Sequence, residues 1–189
     1  MRTPEHPVQP IILNRWSSRA MSGESLSDKE LMPLFEAAKW APSSFNAQPW
    51  RFVYAKRDTP YWKALFDLLY EANQTWAAHA AALVLVVSHK VFEHNGKPSQ
   101  THSFDTGAAW MNLALEGYAR ELVVHAMGGF DYELAKQVCK IPDTYQVEAI
   151  VAIGKKGTPG HLSPDLQAKE IPSNRKPLSE LVMEGIFQE

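Results

Sequence analysis

Leu83-Val84-Leu85-Val86-Val87 is an apolar run with no polar alternation. A strand with one wet face alternates, whereas a strand covered on both faces does not. The run therefore reads as an inner strand between two packed layers. Toward the N-terminus, Trp62, Leu65, Phe66 and Leu69 recur at helical spacing behind Pro60, whose missing amide costs nothing in a first turn. Arg51 to Lys56 is short and rich in aromatic and β-branched residues, which predicts a strand. Before it, Ser27-Asp28-Lys29-Glu30 has the form of a capping box. Leu31, Leu34, Phe35 and Ala38 follow on one helical face, and Pro42 ends that helix.

Toward the C-terminus, Phe104 to Arg120 predicts a helix with Ala108, Met111, Leu115 and Tyr118 three to four residues apart. Leu122 to Met127 predicts a strand stopped by Gly128-Gly129. Asp131 caps a short helix reaching Val138, and Val147 to Ile153 is a last strand before Gly154. A polar, proline-bearing tail follows. Helices and strands thus alternate four times, which predicts an α+β fold with a small mixed sheet sandwiched by helices.

At 189 residues the chain fits one domain, residues 1–189, with enough interior to need no staples. A formal net charge of -2 gives no global basic field for nucleic acid or acidic membranes. The one cysteine, Cys139, has no internal disulfide partner and reads as a small buried hydrophobe in a reducing compartment. Met1 to Gln9 lacks an apolar h-region, and the Ala80–Val87 run is too short to span a bilayer. The expectation is a cytoplasmic protein.

Several chemistries lack their signatures. No GxGxxG follows a strand, and there is no P-loop or GxSxG; the histidines lack an HExxH or CxxC companion. No metal site and no catalytic side chain is expected. Three stretches carry polar groups suited to a ligand instead. Arg15-Trp16-Ser17-Ser18-Arg19 sets two guanidiniums and two hydroxyls together, which matches a phosphate monoester but by itself reads first as a solvated surface segment. Pro42 to Trp50 presents Ser43, Ser44, Asn46 and Gln48 between Phe45 and Trp50. That suits the rim and faces of a flat heterocycle, or an ordinary helix-to-strand loop. His125 to Asp131 places Gly128-Gly129 after a strand, where backbone amides can approach a ligand or simply turn.

In order along the chain, these pieces resemble the nitroreductase family of flavoproteins. Ala41-Pro42-Ser43-Ser44-Phe45-Asn46-Ala47-Gln48-Pro49-Trp50-Arg51-Phe52 follows that family's loop almost letter for letter. Asn73 to Ala77, Asp105 to Ala109 and Met127 to Asp131 resemble its short, single-domain branch, and Arg175-Lys176-Pro177-Leu178 resembles the family's basic site near the end. The resemblance implies a nitroreductase-like, mainly antiparallel sheet in an intertwined homodimer, with one FMN at each of two interface sites. It implies that Arg15, Trp16, Ser17, Arg19 and Arg175, with Lys176, hold the FMN phosphate. Pro42, Ser43, Ser44, Asn46 and Gln48 would reach the partner's flavin, Met127, Gly128 and Gly129 would face the ring near N5, and Asn73 is a further contact.

The reaction so implied passes hydride from NADH or NADPH through flavin N5 to a small-molecule acceptor such as a nitroaromatic, quinone or free flavin. FMN storage or sensing without turnover, and a flavin-fragmenting or dehalogenating relative on the same fold, are the alternatives. His89 to Ser103, polar and long, reads as a mobile loop over the flavin.

Overall fold

The computed structural model describes residues 2–187. In chain order it has α1 (Pro10–Asn14), α2 (Asp28–Lys39), β1 (Trp50–Lys56), α3 (Trp62–Phe66), α4 (Glu71–Ala77), β2 (Ala82–His89), α5 (His102–Ala119), β3 (Leu122–Met127), α6 (Tyr132–Val138), β4 (Tyr145–Lys155) and α7 (Pro164–Ala168). The four strands form one sheet in the order β1-β2-β4-β3, and all three pairings are antiparallel.

The unalternating run in β2 is buried on both faces, as its pattern demands. Leu83, Leu85 and Val87 pack with Leu65, Leu68 and Trp76 on one side. Val84 and Val86 pack with Leu31, Leu34 and Leu113 from α2 and α5 on the other. The capping box forms at α2, where Glu30 Oε2 accepts from the Ser27 amide at 2.8 Å and the Ser27 hydroxyl at 2.7 Å. Between β2 and β4 the register slips, pairing Val86 with Ala149 but Val87 with Val147. That bulge leaves Glu148 out of the ladder.

The structure corrects three expectations. The helix behind Pro60 stops at Phe66, and a separate helix begins at Glu71. Between them Leu69 forms a β-bridge with Phe130, and the Leu68 carbonyl accepts from the Asp131 amide. A continued helix would leave those backbone groups no such partners. On α5 the buried face is Ala109, Leu113, Ala114 and Gly117, while Met111 and Tyr118 are exposed. The small residues fit closely under the sheet, so size rather than spacing selects the face.

The segment after β2, read as a mobile loop, carries backbone pairing of its own. Val91 bridges Pro98, the Phe92 amide bonds the Lys97 carbonyl, and the Ser99 amide bonds the Lys90 carbonyl. The tail, read as polar, exposes Ile171, Leu178, Leu181, Val182, Ile186 and Phe187. Cys139 is half-buried against the core, and burial pushes its thiol up, away from the reactive thiolate. Among the described residues, no helix is long and apolar enough to cross a membrane.

Candidate functional site

Residues 15–22 run past the end of β4 and are tied to it. The Ser22 amide bonds the Lys155 carbonyl and the Gly157 amide bonds the Ala20 carbonyl, each at 2.9 Å. This fixes the segment beside edge strand β3 and the returning tail, and a pocket of about 330 Å³ opens where the three meet. Arg2, Arg15, Trp16, Ser17, Arg19, His125, Lys169, Ile171, Ser173 and Arg175 line it. The structure therefore brings Arg175 together with Arg15, Trp16, Ser17 and Arg19 from the other end of the sequence. Lys176 is not among them. Its ammonium pairs with Glu180 at 3.2 Å and faces a neighbouring cavity.

The pocket's charge is one-sided. Five of its side chains are cationic (Arg2, Arg15, Arg19, Lys169, Arg175), and no carboxylate lines it. Glu170, close by, is already engaged by the Ser18 hydroxyl and by the amides of Arg19 and Ala20. Arg15 Nη1 is buried without a hydrogen-bond partner. Burial first, then Arg2 and Arg175, lowers the Arg15 pKa from its ordinary value. A guanidinium with a buried, unsatisfied nitrogen among like charges is costly unless an anion completes it. A phosphate monoester supplies both the acceptors and the charge.

His125 was not anticipated as a site residue. Its Nδ1 donates to the Ser18 carbonyl at 3.0 Å, and its ring lies 4.6 Å from that of buried Trp76. Burial pushes the imidazole below its ordinary value; the Ser18 bond and Glu170 oppose this, while Arg19 and Arg15 add to it. A neutral ring donating through Nδ1 keeps Nε2 as an acceptor, a group suited to a ligand hydroxyl.

The glycine turn ends the same strand. Asn73 Nδ2 donates to the Gly129 carbonyl at 3.0 Å, and the Tyr70 amide donates to it at 3.1 Å. A Cβ on Gly129 would lie 2.7 Å from Asn73 Nδ2, so a larger residue there would displace the Asn73 amide. Asn73 thus braces the Met127–Gly129 turn. That bond uses one of the two Nδ2 hydrogens of Asn73.

Pro42, Ser43, Ser44, Asn46 and Gln48 lie elsewhere, and none lines the cationic pocket. Their loop is strained: Phe45, Asn46 and Gln48 have φ of 53°, 53° and 48°. Left-handed non-glycine residues cost about 1–3 kcal/mol each and persist where surroundings enforce them. Here the Ser43 hydroxyl accepts from the Gln48 amide, and Gln48 Nε2 donates to the Asn46 carbonyl, each at 3.0 Å. Phe45 is left 82% exposed, in edge contact with Phe92 of the arm after β2.

Asp105, in the first turn of α5, is the second residue the sequence did not single out. Its buried Oδ2 accepts from the Ser44 amide at 3.0 Å and from the Thr101 hydroxyl at 3.1 Å. It clamps the strained loop to the helix. Asp105→Ala should speed amide hydrogen exchange at Ser44, Asn46 and Gln48 while β2 keeps its protection. Asp105→Asn, which retains an acceptor, should preserve most of the slow exchange. Equal exchange in wild type and Asp105→Ala would disprove the clamp.

Behind it, Glu148 Oε1, freed by the bulge, accepts from Ser88 at 2.5 Å and from Ser103 at 2.6 Å. His102 Nδ1 stands 2.7 Å from Ser88 Oγ. The set resembles a triad in composition, but Ser88 is fully buried, so it ties α5 to the sheet. Among the described residues no group of three or more His, Cys, Asp or Glu is placed to hold a metal ion.

The fold and this pocket define an antiparallel α+β protein with a cationic pocket at a sheet edge. The chain belongs to the nitroreductase family: the model described as Nitroreductase family matches residues 12–74 and 60–155. The crystal structure of an oxidoreductase containing FMN is 43% identical, with a TM-score of 0.94 over 99% of this chain and 96% of that one. A nitroreductase-like protein of Desulfovibrio desulfuricans, solved in complex with FMN, is 25% identical, with a TM-score of 0.73 over 96% and 100% of the two chains. Among curated relatives, YdgI of Bacillus subtilis, whose given name proposes an NAD(P)H nitroreductase, is 26% identical over 73% of this chain and 82% of its own.

Proposed function

We propose that this chain is an FMN-dependent oxidoreductase that takes electrons from NADH or NADPH and passes them to a small-molecule acceptor. Nitroaromatics, quinones and free flavin are the acceptor classes to try. The observation that carries this reading is the orphaned Arg15 guanidinium nitrogen in a pocket of cations. FMN ends in the phosphate that such a pocket lacks. Its fit extends along β3, since His125 lines the pocket and Gly128 follows three residues later, roughly 10 Å along an extended strand. A sugar-alcohol linker between phosphate and ring spans a gap of that order. When bound, FMN supplies the hydride-accepting and hydride-donating ring.

The chain's own residues bind and orient. Arg15, Ser17, Arg19 and Arg175 would hold the phosphate. His125 Nε2 would accept from the linker. Met127, Gly128 and Gly129 would present backbone amides to the ring edge, held in shape by Asn73.

The same reading makes the protein a homodimer. Trp40, Phe45 and Phe104 are 74%, 82% and 81% exposed, an apolar set that supports a covered surface. The loop from Pro42 to Gln48, absent from its own chain's pocket, would then serve the partner's ligand. The single, half-buried cysteine supports placing the protein in the cytoplasm.

The test is direct. Protein loaded with FMN should bleach within seconds of anaerobic mixing with NADH or NADPH and regain its flavin absorbance when an acceptor is added. Bound FMN that neither nucleotide bleaches would replace turnover by storage or sensing. Failure to bind FMN at all would remove the reading.

A further inference from the structure

The family model matches residues 12–155, and the segments on either side of that span meet over the cationic pocket. Arg2 is where they join. Its Nε donates to the Ser173 carbonyl of the tail at 2.9 Å. Its Nη1 donates to the carbonyls of Leu13 at 2.7 Å and Arg15 at 2.8 Å. Nearby, the Glu5 carboxylate accepts from the Leu178 amide at 2.9 Å, a second tie between the same two segments. Arg2 also lines the pocket itself. Arg2 and Arg175 each act on the Arg15 guanidinium, and Arg175 acts on Arg2 in turn, so the three charges share one neighbourhood.

We propose that Arg2 is a binding residue for the phosphate of the flavin, delivered by the N-terminal segment and completing a three-arginine cradle with Arg15 and Arg175. This rests on the FMN reading above. Three backbone carbonyls consume the donors on Nε and Nη1 and fix the fork in place, leaving Nη2 to the ligand. A guanidinium held in this way donates without first losing its rotamer freedom. Without an anion the arrangement is unfavourable, since three like charges are gathered with no carboxylate lining the pocket. With a phosphate it closes the N-terminal segment and the tail over the ligand's end.

The experiment compares FMN with riboflavin, which has the same ring and linker without the phosphate. Dissociation constants are read from quenching of flavin fluorescence at fixed ionic strength. Arg2→Ala should weaken FMN binding about five- to tenfold, the order of one partly screened charge-assisted contact, and leave riboflavin within about twofold. Arg2→Lys should recover part of the loss. Glu5→Ala, which loosens the clasp without removing a cation, should cost FMN much less than Arg2→Ala does. Equal FMN affinity in wild type and Arg2→Ala would overturn the proposal. So would a loss shared equally by riboflavin, or one that Glu5→Ala reproduces in full. A wild-type protein indifferent to the phosphate would overturn the FMN reading itself, an outcome separate from failure of Arg2 alone.

Discussion

Arg15→Ala should weaken FMN binding by about 1.5–3 kcal/mol, roughly ten- to 150-fold, without lowering the stability of the ligand-free protein by a similar amount. The two halves of that expectation have different origins. With ligand, the variant loses a guanidinium whose Nη1 is buried and, among the described residues, has no hydrogen-bond partner. Without ligand, it loses a charge disfavoured by burial and by Arg2 and Arg175. Against that relief stands the loss of the side chain over the Trp110 ring, 5.8 Å away, worth about 0.5–1 kcal/mol. The ligand-free melting temperatures should therefore nearly coincide. The rise on adding excess FMN should be smaller in the variant, because stabilisation by a ligand follows the logarithm of its concentration over its dissociation constant. Thermal melts of both proteins with and without FMN check this. A variant that melts far below wild type in both conditions would make Arg15 structural, and an equal FMN shift would remove it from the phosphate site.

How much of this was legible in the sequence depends on the range over which each signal acts. The unalternating Leu83–Val87 run announced an inner strand, and Ser27 with Glu30 announced a helix start, because both are decided by neighbours within a few residues. The loop from Ala41 to Trp50 was legible as a family-like motif. Its strain was not, since three left-handed residues there are enforced by partners such as Asp105, sixty-one positions from Ser44. The break after Phe66 was hidden because Leu69 still falls on the helical period, while its real partner is Phe130.

Long-range contacts account for the missed site residues as well. Ser18 meets Glu170 across 152 positions, and Arg2 meets Ser173 across 171, with no local pattern to mark either. Asp105 stood inside a stretch already noted as family-like, so asking what a buried carboxylate in a first helical turn accepts could have found it. On α5, apolar residues occur all round, and spacing alone could not say that Met111 and Tyr118 would be left bare.

Gly157→Ala should destabilise the protein by about 2–3 kcal/mol, a fall of roughly 4–12 °C in Tm, and should weaken FMN binding although it touches no proposed ligand atom. The reason is a close backbone approach. A Cβ at this position would lie 2.6 Å from the Met21 carbonyl carbon, 2.7 Å from the Ser22 nitrogen and 2.8 Å from the Met21 oxygen. All three are main-chain atoms, so no rotamer change relieves the clash. The chain must move, and the part that moves is the one tied here by the Gly157-to-Ala20 and Ser22-to-Lys155 hydrogen bonds. Met21, fully buried, would be pushed against the core. Upstream of it the shift reaches Arg19, Ser17 and Arg15, whose spacing to Arg175 defines the pocket. Gly160→Ala is the control, because nothing lies within 4 Å of a Cβ there and its Tm should stay close to wild type. A Gly157→Ala protein with wild-type Tm would mean that the segment is held elsewhere. One that melts early yet binds FMN normally would mean that the phosphate residues do not depend on this anchor.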